Sequence, residues 1–191
     1  MMIGKQITKP VSDWNEYTQT AIWCNTNKAA IQDKGEYYEV VPVPEPTLDE
    51  TKAAGLNELE VAFNLASEEA HCMSSAGFEI DADEIANRNI EGLVLVMQAG
   101  KTTLFRAYDN SFHEVTREQL EIMRKEIVIN SQYLYQAKWT IEAQIMQAQT
   151  AQAIADIDIS ADAITALANT LKAQAMEAAN GEEGAENAET A

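Results

Sequence analysis

The chain has 191 residues, with 13 Lys+Arg against 31 Asp+Glu, a formal net charge of -18 and a pI near 4.3. That balance argues against docking on nucleic acid or an anionic membrane, because phosphates must be met by a basic surface. Hydrophobic residues at 46% and charged residues at 23% are those of an ordinary globular domain, so disorder is expected only at an end. The longest apolar run, residues 93–97, falls far short of the roughly 20 residues that cross a bilayer. The first ten residues lack the apolar core of a secretory signal. Two cysteines, Cys24 and Cys72, can make neither a disulfide framework nor, alone, a tetrahedral metal site.

The N-terminal stretch, residues 1–46, reads as a small α+β docking unit closed by a stiff connector, Pro42-Val43-Pro44-Glu45-Pro46. Ser12 is placed to cap a helix that begins at Asp13. Its apolar side carries Trp14, Tyr17 and Ala21, completed by Cys24 or Trp23, and Asn25 and Asn27 stop it. Residues 29–32 form a short strand, Asp33-Lys34-Gly35 a turn, and residues 37–41 a second strand. About 45 residues make a weak independent core, so this unit leans on the rest of the chain or on a partner. Trp14, Tyr17, Trp23, Tyr37 and Tyr38 are either that core or a docking surface, since Trp and Tyr dominate binding hot spots. Adjacent Tyr37 and Tyr38 point to opposite faces of a strand, which leaves at least one for a partner.

Beyond the connector, capping patterns place helices over 48–75, 82–98, 117–156 and 161–178. Thr47 with Glu50, Asp81 with Glu84, and Thr116 with Gln119 have capping-box spacing, and Ser160 is a fourth cap. Ile80 with Ile85, Val115 with Leu120 and Ile159 with Ile164 are placed as hydrophobic staples. The first of these helices carries a narrow stripe, Leu56, Leu59, Phe63, Ala66, Ala70 and Met73. The third repeats Leu120, Ile127, Leu134, Ile141, Ala148 and Ala155 at strict sevens, with Met123, Asn130, Ala137, Gln144 and Ala151 between them. At ~1.5 Å per residue, forty residues reach ~60 Å, longer than a compact domain of this size needs. The expectation is a coiled-coil-like rod whose seam, Leu120, Ile127, Leu134 and Ile141, is shared with copies of the same chain. Asn130 then either fixes register and oligomer state or faces solvent where the stripe drifts. Gly77 is placed as a helix C-cap, followed by a strand at 78–80; residues 102–108 and 112–115 add a two- or three-stranded β patch. The fold class is mainly α (α+β). Its divisions are a helical domain with the β patch at 47–157, a C-terminal helix at 158–179 and a disordered acidic tail at 180–191.

No motif carries catalysis. Asp81, Asp83 and Glu84, and again Asp156, Asp158, Ser160 and Asp162, alternate like a Ca²⁺ loop. The required glycine positions hold Ala86 and Ala161, so these are read as helix N-terminal acids. His71 and Cys72, adjacent on the expected helix, point about 100° apart and share no ligand site. Asp109, Ser111 and His113 are the trio closest to a hydrolytic site, but without a nucleophile-elbow sequence they read as turn residues. No cofactor, metal or catalytic residue is expected.

Several segments together resemble a domain family of unknown biochemical function found in tailed bacteriophages and prophages, associated with tails and tail fibres. They are the helix opening at Thr47, Gly77-Phe78-Glu79-Ile80-Asp81-Ala82-Asp83 and Asn89-Ile90-Glu91-Gly92-Leu93. Phe105-Arg106-Ala107-Tyr108-Asp109-Asn110 and Val115-Thr116-Arg117-Glu118-Gln119-Leu120 continue the pattern, and Ile141-Glu142-Ala143-Gln144-Ile145 and Ala153-Ile154-Ala155-Asp156-Ile157 end it. One departure is that a Trp is common where Phe105 or Arg106 stands. Trp14-Asn15-Glu16-Tyr17, Trp23-Cys24-Asn25 and Gly35-Glu36-Tyr37-Tyr38-Glu39-Val40 are similar to leaders on phage tail proteins. The resemblance implies a non-enzymatic virion protein of the tail or tail fibre, made in the bacterial cytoplasm. Its partners would be itself, as a trimer, and other tail or fibre proteins. The alternative is a fibre-assembly chaperone absent from the mature particle.

Overall fold

The computed structural model describes residues 2–189, with side chains through residue 178. The chain separates into two units, Met1–Thr47 and Leu48–Ala191, at the boundary that the proline connector marks.

The first unit packs one helix on a three-stranded antiparallel sheet. Its elements are β1 (Gln6–Thr8), α1 (Trp14–Thr26), β2 (Ala29–Asp33) and β3 (Tyr37–Pro42), with sheet order β1-β3-β2. β3 is the central strand, pairing Ile7 with Tyr38 on one side and Ile31 with Val40 on the other. β1 is absent from the sequence reading because three residues carry too little alternation to show a period. The cap of α1 is Asp13 rather than Ser12: its carboxylate accepts from the Asn15 and Glu16 amides at 2.9 and 3.0 Å. The buried residues of α1 are Thr20 and Cys24, whereas Trp14 is 67% exposed, so the expected stripe through Trp14 is corrected. Thr20 takes a core position because its hydroxyl donates to the Glu16 carbonyl at 2.8 Å and accepts from Lys5 Nζ at 3.2 Å. Cys24, Ala29 and Val40 form the small core, with Trp23 and Ile31 against it. Gly35 turns β2 into β3 at φ +91, its amide held by Asp33 Oδ1 at 2.7 Å.

The second unit is helical, with two separate two-stranded sheets. It runs α2 (Leu48–Glu68), β4 (His71–Met73), β5 (Glu79–Asp81), α3 (Glu84–Val96), β6 (Thr102–Arg106), β7 (Phe112–Thr116), α4 (Arg117–Gln147), α5 (Ala151–Ala155) and α6 (Ala161–Glu189). α2 stops at Glu68 rather than 75, because His71, Cys72 and Met73 pair with Asp81, Ile80 and Glu79 in a hairpin. Gly77 is therefore not a helix cap. It lies in the β4–β5 turn at φ +95, its amide donating to the Ser74 carbonyl at 3.0 Å. The cap of α3 is Asp83, which accepts from the Ala86 amide, so Asp81 is not the cap and Ile85 is no staple. Ile80 is fully buried while Ile85 is 65% exposed. Thr116 and Gln119 do form a reciprocal capping box on α4. Val115 and Leu120 are buried around it as a staple pair would be.

The forty-residue rod is corrected to 31 residues, because the helix breaks at Ala148 and restarts after Thr150. Thr150 Oγ1 accepts from the Ala153 amide, a cap that competes with continuing the helix. The break brings Ile154 against Gly55 of α2 and returns the chain so that α6 packs on α2 and α4. The expected seam is thereby covered within the chain: Leu120, Ile127, Leu134 and Ile141 are 0, 2, 5 and 3% exposed. α4 joins two cores. Leu120, Met123 and Ile127 pack with Cys72, Ile80, Ile90 and Val115. Leu134, Ala137, Ile141 and Ile145 pack with Leu59 and Phe63 of α2 and with Ile164 and Ala168 of α6. Burying each large aliphatic chain contributes on the order of 2 kcal/mol. The C-terminal helix is thus part of this unit rather than a separate segment. α6 begins after Ser160, as expected, and its bounds extend past 178. The acidic tail expected over 180–191 lies outside the described side chains, and residues 190–191 lie outside the described residues altogether. No helix of the described residues is long and apolar enough to cross a membrane.

Candidate interaction surfaces

The five aromatic residues singled out in the first unit divide between core and surface. Trp23 packs against the Cys24–Val40 core. Trp14, Tyr17 and Tyr38 form a chain of edge-to-face rings, 5.7 Å from Trp14 to Tyr17 and 5.4 Å from Tyr17 to Tyr38. Helical spacing of three brings Trp14 beside Tyr17, and the packing of α1 on the sheet brings Tyr17 onto β3. Lys9 Nζ sits 4.3 Å from the Tyr38 ring centroid and 2.5 Å from Asp33 Oδ2. The Asp33 carboxylate raises the Lys9 pKa and holds the cation at the ring. Tyr37 is half-buried and, among the described residues, makes no ring contact with the other four. Strand alternation places it on the opposite face of β3 from Tyr38.

The other seam residue, Asn130, is half-buried and faces its own chain. It lines a small cleft with Leu134 of α4 and with Ala161 and Thr165 of α6. Neither an intermolecular register position nor an open solvent face describes it.

The Asp109, Ser111 and His113 trio does come together, in an order that opposes nucleophilic catalysis. Ser111 Oγ donates to Asp109 Oδ1 at 2.6 Å and lies 2.8 Å from His113 Nε2. A serine has one proton to give, and the carboxylate takes it, so Nε2–H donates to the hydroxyl. The imidazole then presents a proton where a general base needs a lone pair. The Ser111 hydroxyl and amide together hold the Asp109 carboxyl below the ordinary aspartate range. His113 stacks on Phe78, with centroids 3.9 Å apart and planes within 7°. This is a turn that ties β6 and β7 to the Phe78 ring.

His71 and Cys72 lie on β4, not on a helix, and alternation separates them. Cys72 is buried, and burial pushes its thiol pKa up. His71 Nδ1 is 2.6 Å from Glu79 Oε1, and its ring stacks on Tyr108 at 4.3 Å. Cys24 is buried in the first unit, and both thiols are free. Asp83 caps α3, and Asp158 accepts from the Ser160 amide and hydroxyl just before α6, which uses the two acid clusters structurally. Among the described residues no three His, Cys, Asp or Glu side chains converge to hold a metal ion.

A groove that the periodicity does not indicate lies between α2, α3 and α4. Its volume is about 790 Å³, and Phe63, Glu68, Asp83, Glu84, Ile85, Val128 and Tyr135 are among its lining. Val128 and Ile85 are more than half exposed although β-branched and apolar. The only trace in the sequence is that Val128 and Ile129 are apolar off the heptad positions.

Residues 51–161 match the family described as Domain of unknown function (DUF4376). The chain belongs to the DUF4376 family. The matched span runs from the first turn of α2 through α3, both hairpins, α4 and α5 to the start of α6, so the DUF4376 domain is the greater part of the second unit. It contains the whole groove. Neither the curated proteins nor the solved structures contain a match to this chain.

Proposed function

We propose that this DUF4376 protein is a non-enzymatic structural component of a tailed-phage virion, in the tail or tail fibre. Its N-terminal unit attaches to a neighbouring virion protein. The observation that carries the attachment is Trp14, which keeps a large ring in water at the end of the Trp14–Tyr17–Tyr38 chain. Packing does not require that exposure, and exposed Trp and Tyr are the residues that anchor interfaces. The virion setting is supported by the resemblance of residues 1–46 and 47–157 to phage tail proteins. The non-enzymatic reading is supported by the Ser111–His113 geometry, in which the imidazole turns an N–H, not a lone pair, to the hydroxyl. The Leu120–Ile141 seam is covered within the chain and gives no support to a trimer through α4, and the partner proposed here is another tail or fibre protein.

Mass spectrometry of purified particles tests the reading. The protein should be present in fixed stoichiometry, and Trp14→Ala with Tyr38→Ala should abolish incorporation while leaving the melting of the second unit unchanged. A protein missing from mature particles would instead be an assembly chaperone, and incorporation of the double variant would overturn the docking surface.

A further inference from the structure

We propose that the groove between α2, α3 and α4 is a docking site for a basic, apolar segment of another protein. This stands apart from attachment by the N-terminal unit. The floor is Phe63, buried at 6% exposure, beside Tyr135, whose ring lies 4.8 Å from it. Ile85 and Val128 line the same groove and stay mostly in water. An occupant that covered both side chains would gain the hydrophobic burial that the free chain leaves unmade.

The charge around the groove selects that occupant. Glu68, Asp83 and Glu84 line it, and no lysine or arginine does. Glu68 makes no ion pair among the described residues. Asn87 also lines it, and its buried Oδ1 has no hydrogen-bond donor. The groove therefore offers carboxylates as acceptors, Glu68 without an ion pair among the described residues and Glu84 paired with Arg88, and the cation at its floor, Lys138 over the Phe63 ring at 4.6 Å, is already taken up by Glu60. A second copy of this chain, at net charge -18, would bring more carboxylates against these. A segment with aliphatic side chains on one face and lysine or arginine beside them matches both the apolar walls and the acidic rim.

The test uses the full chain and a fluorescein-labelled peptide of leucine and lysine only, with leucines at helical spacing, read by fluorescence anisotropy. A twin with glutamate in place of lysine is the first control. Val128→Lys, and separately Glu68→Gln with Glu84→Gln, should each weaken binding of the lysine peptide at least about tenfold. Glu114→Gln with Glu121→Gln removes as many carboxylates outside the groove and should leave binding within about twofold. Glu68→Gln with Glu84→Gln keeps the test intact should Val128→Lys fail to fold. Equal weakening by the two glutamine pairs would mean attraction to an acidic surface at large and would overturn the proposal. Equal binding of the glutamate twin would overturn it too. So would a dimer in light scattering that Val128→Lys dissociates, because the occupant would then be a second copy.

Discussion

The Glu126 carboxylate of α4 accepts a hydrogen bond from the buried Ser74 hydroxyl at 2.6 Å, and a second from the Ser75 amide at 2.9 Å. This contact clamps the β4–β5 turn to the long helix. Ser74→Ala removes a bond to a charged group and should cost about 1.5–3 kcal/mol. Urea denaturation at neutral pH measures it.

The same clamp sets a pH dependence. Burial raises the Glu126 pKa, but the Ser74 and Ser75 hydrogen bonds and the Lys172 charge outweigh it, leaving the carboxyl below its ordinary 4.5. The folded pKa is depressed relative to the unfolded chain. The contribution is therefore complete above the ordinary glutamate range and lost as pH falls through the folded value. The difference in stability between the natural chain and Glu126→Gln should shrink on going from neutral pH to acid below that range, and chemical denaturation at the two pH values reads it. A difference that grows toward acid would refute the assignment.

Ile127→Asp and Ile141→Asp report on the core and not on an assembly. Each places a carboxylate at a site with almost no exposure, and each should destabilise by more than about 4 kcal/mol. Circular dichroism should show loss of cooperative melting. A folded double variant of reduced mass would restore the intermolecular seam.

Gly55 sets how closely α2 approaches α5. A Cβ there would meet Ile154 Cγ2 at 3.3 Å and Ile145 Cγ2 at 3.6 Å. Gly55→Leu should overpack this contact and cost about 1–3 kcal/mol despite its better helix propensity. A thermal melt at or above that of the natural chain would show that α2 and α5 can separate freely.

Thr116→Ala removes one half of the capping box on α4 and should cost about 1 kcal/mol. Gln119→Ala removes the other half and should cost a similar amount. The double variant should cost less than the sum of the two, since both serve one helix end. Denaturant midpoints of the three variants check this.

Local chemistry was legible at some single residues and misplaced at others, where Asp13 and not Ser12 caps α1, Asp83 and not Asp81 caps α3, and Gly77 turns a hairpin. The proline connector marks the boundary between the units, Thr116 with Gln119 opens α4, Ser160 opens α6, and Asp33-Lys34-Gly35 turns one strand into the next. Each depends on a hydrogen bond or a φ value settled within a few residues. The site was less legible. Trp14, Tyr17 and Tyr38 were visible as aromatic residues, but their ring chain needs α1 seated on β3. Ile85 was read as a staple residue, and Val128, off the heptad positions, was not singled out.

The amino-acid sequence by itself determined that α4 is amphipathic with Leu120, Ile127, Leu134 and Ile141 on one side. Periodicity states that such an edge must be covered, but not by what, because a partner's helix and the chain's own helix satisfy the same pattern. Tertiary structure decided that question at Ala148–Thr150, a break without proline or glycine. Burial of Ile154 against Gly55, and of Ile164 and Ala168 against α4, outweighs the hydrogen bonds that a longer helix would have kept.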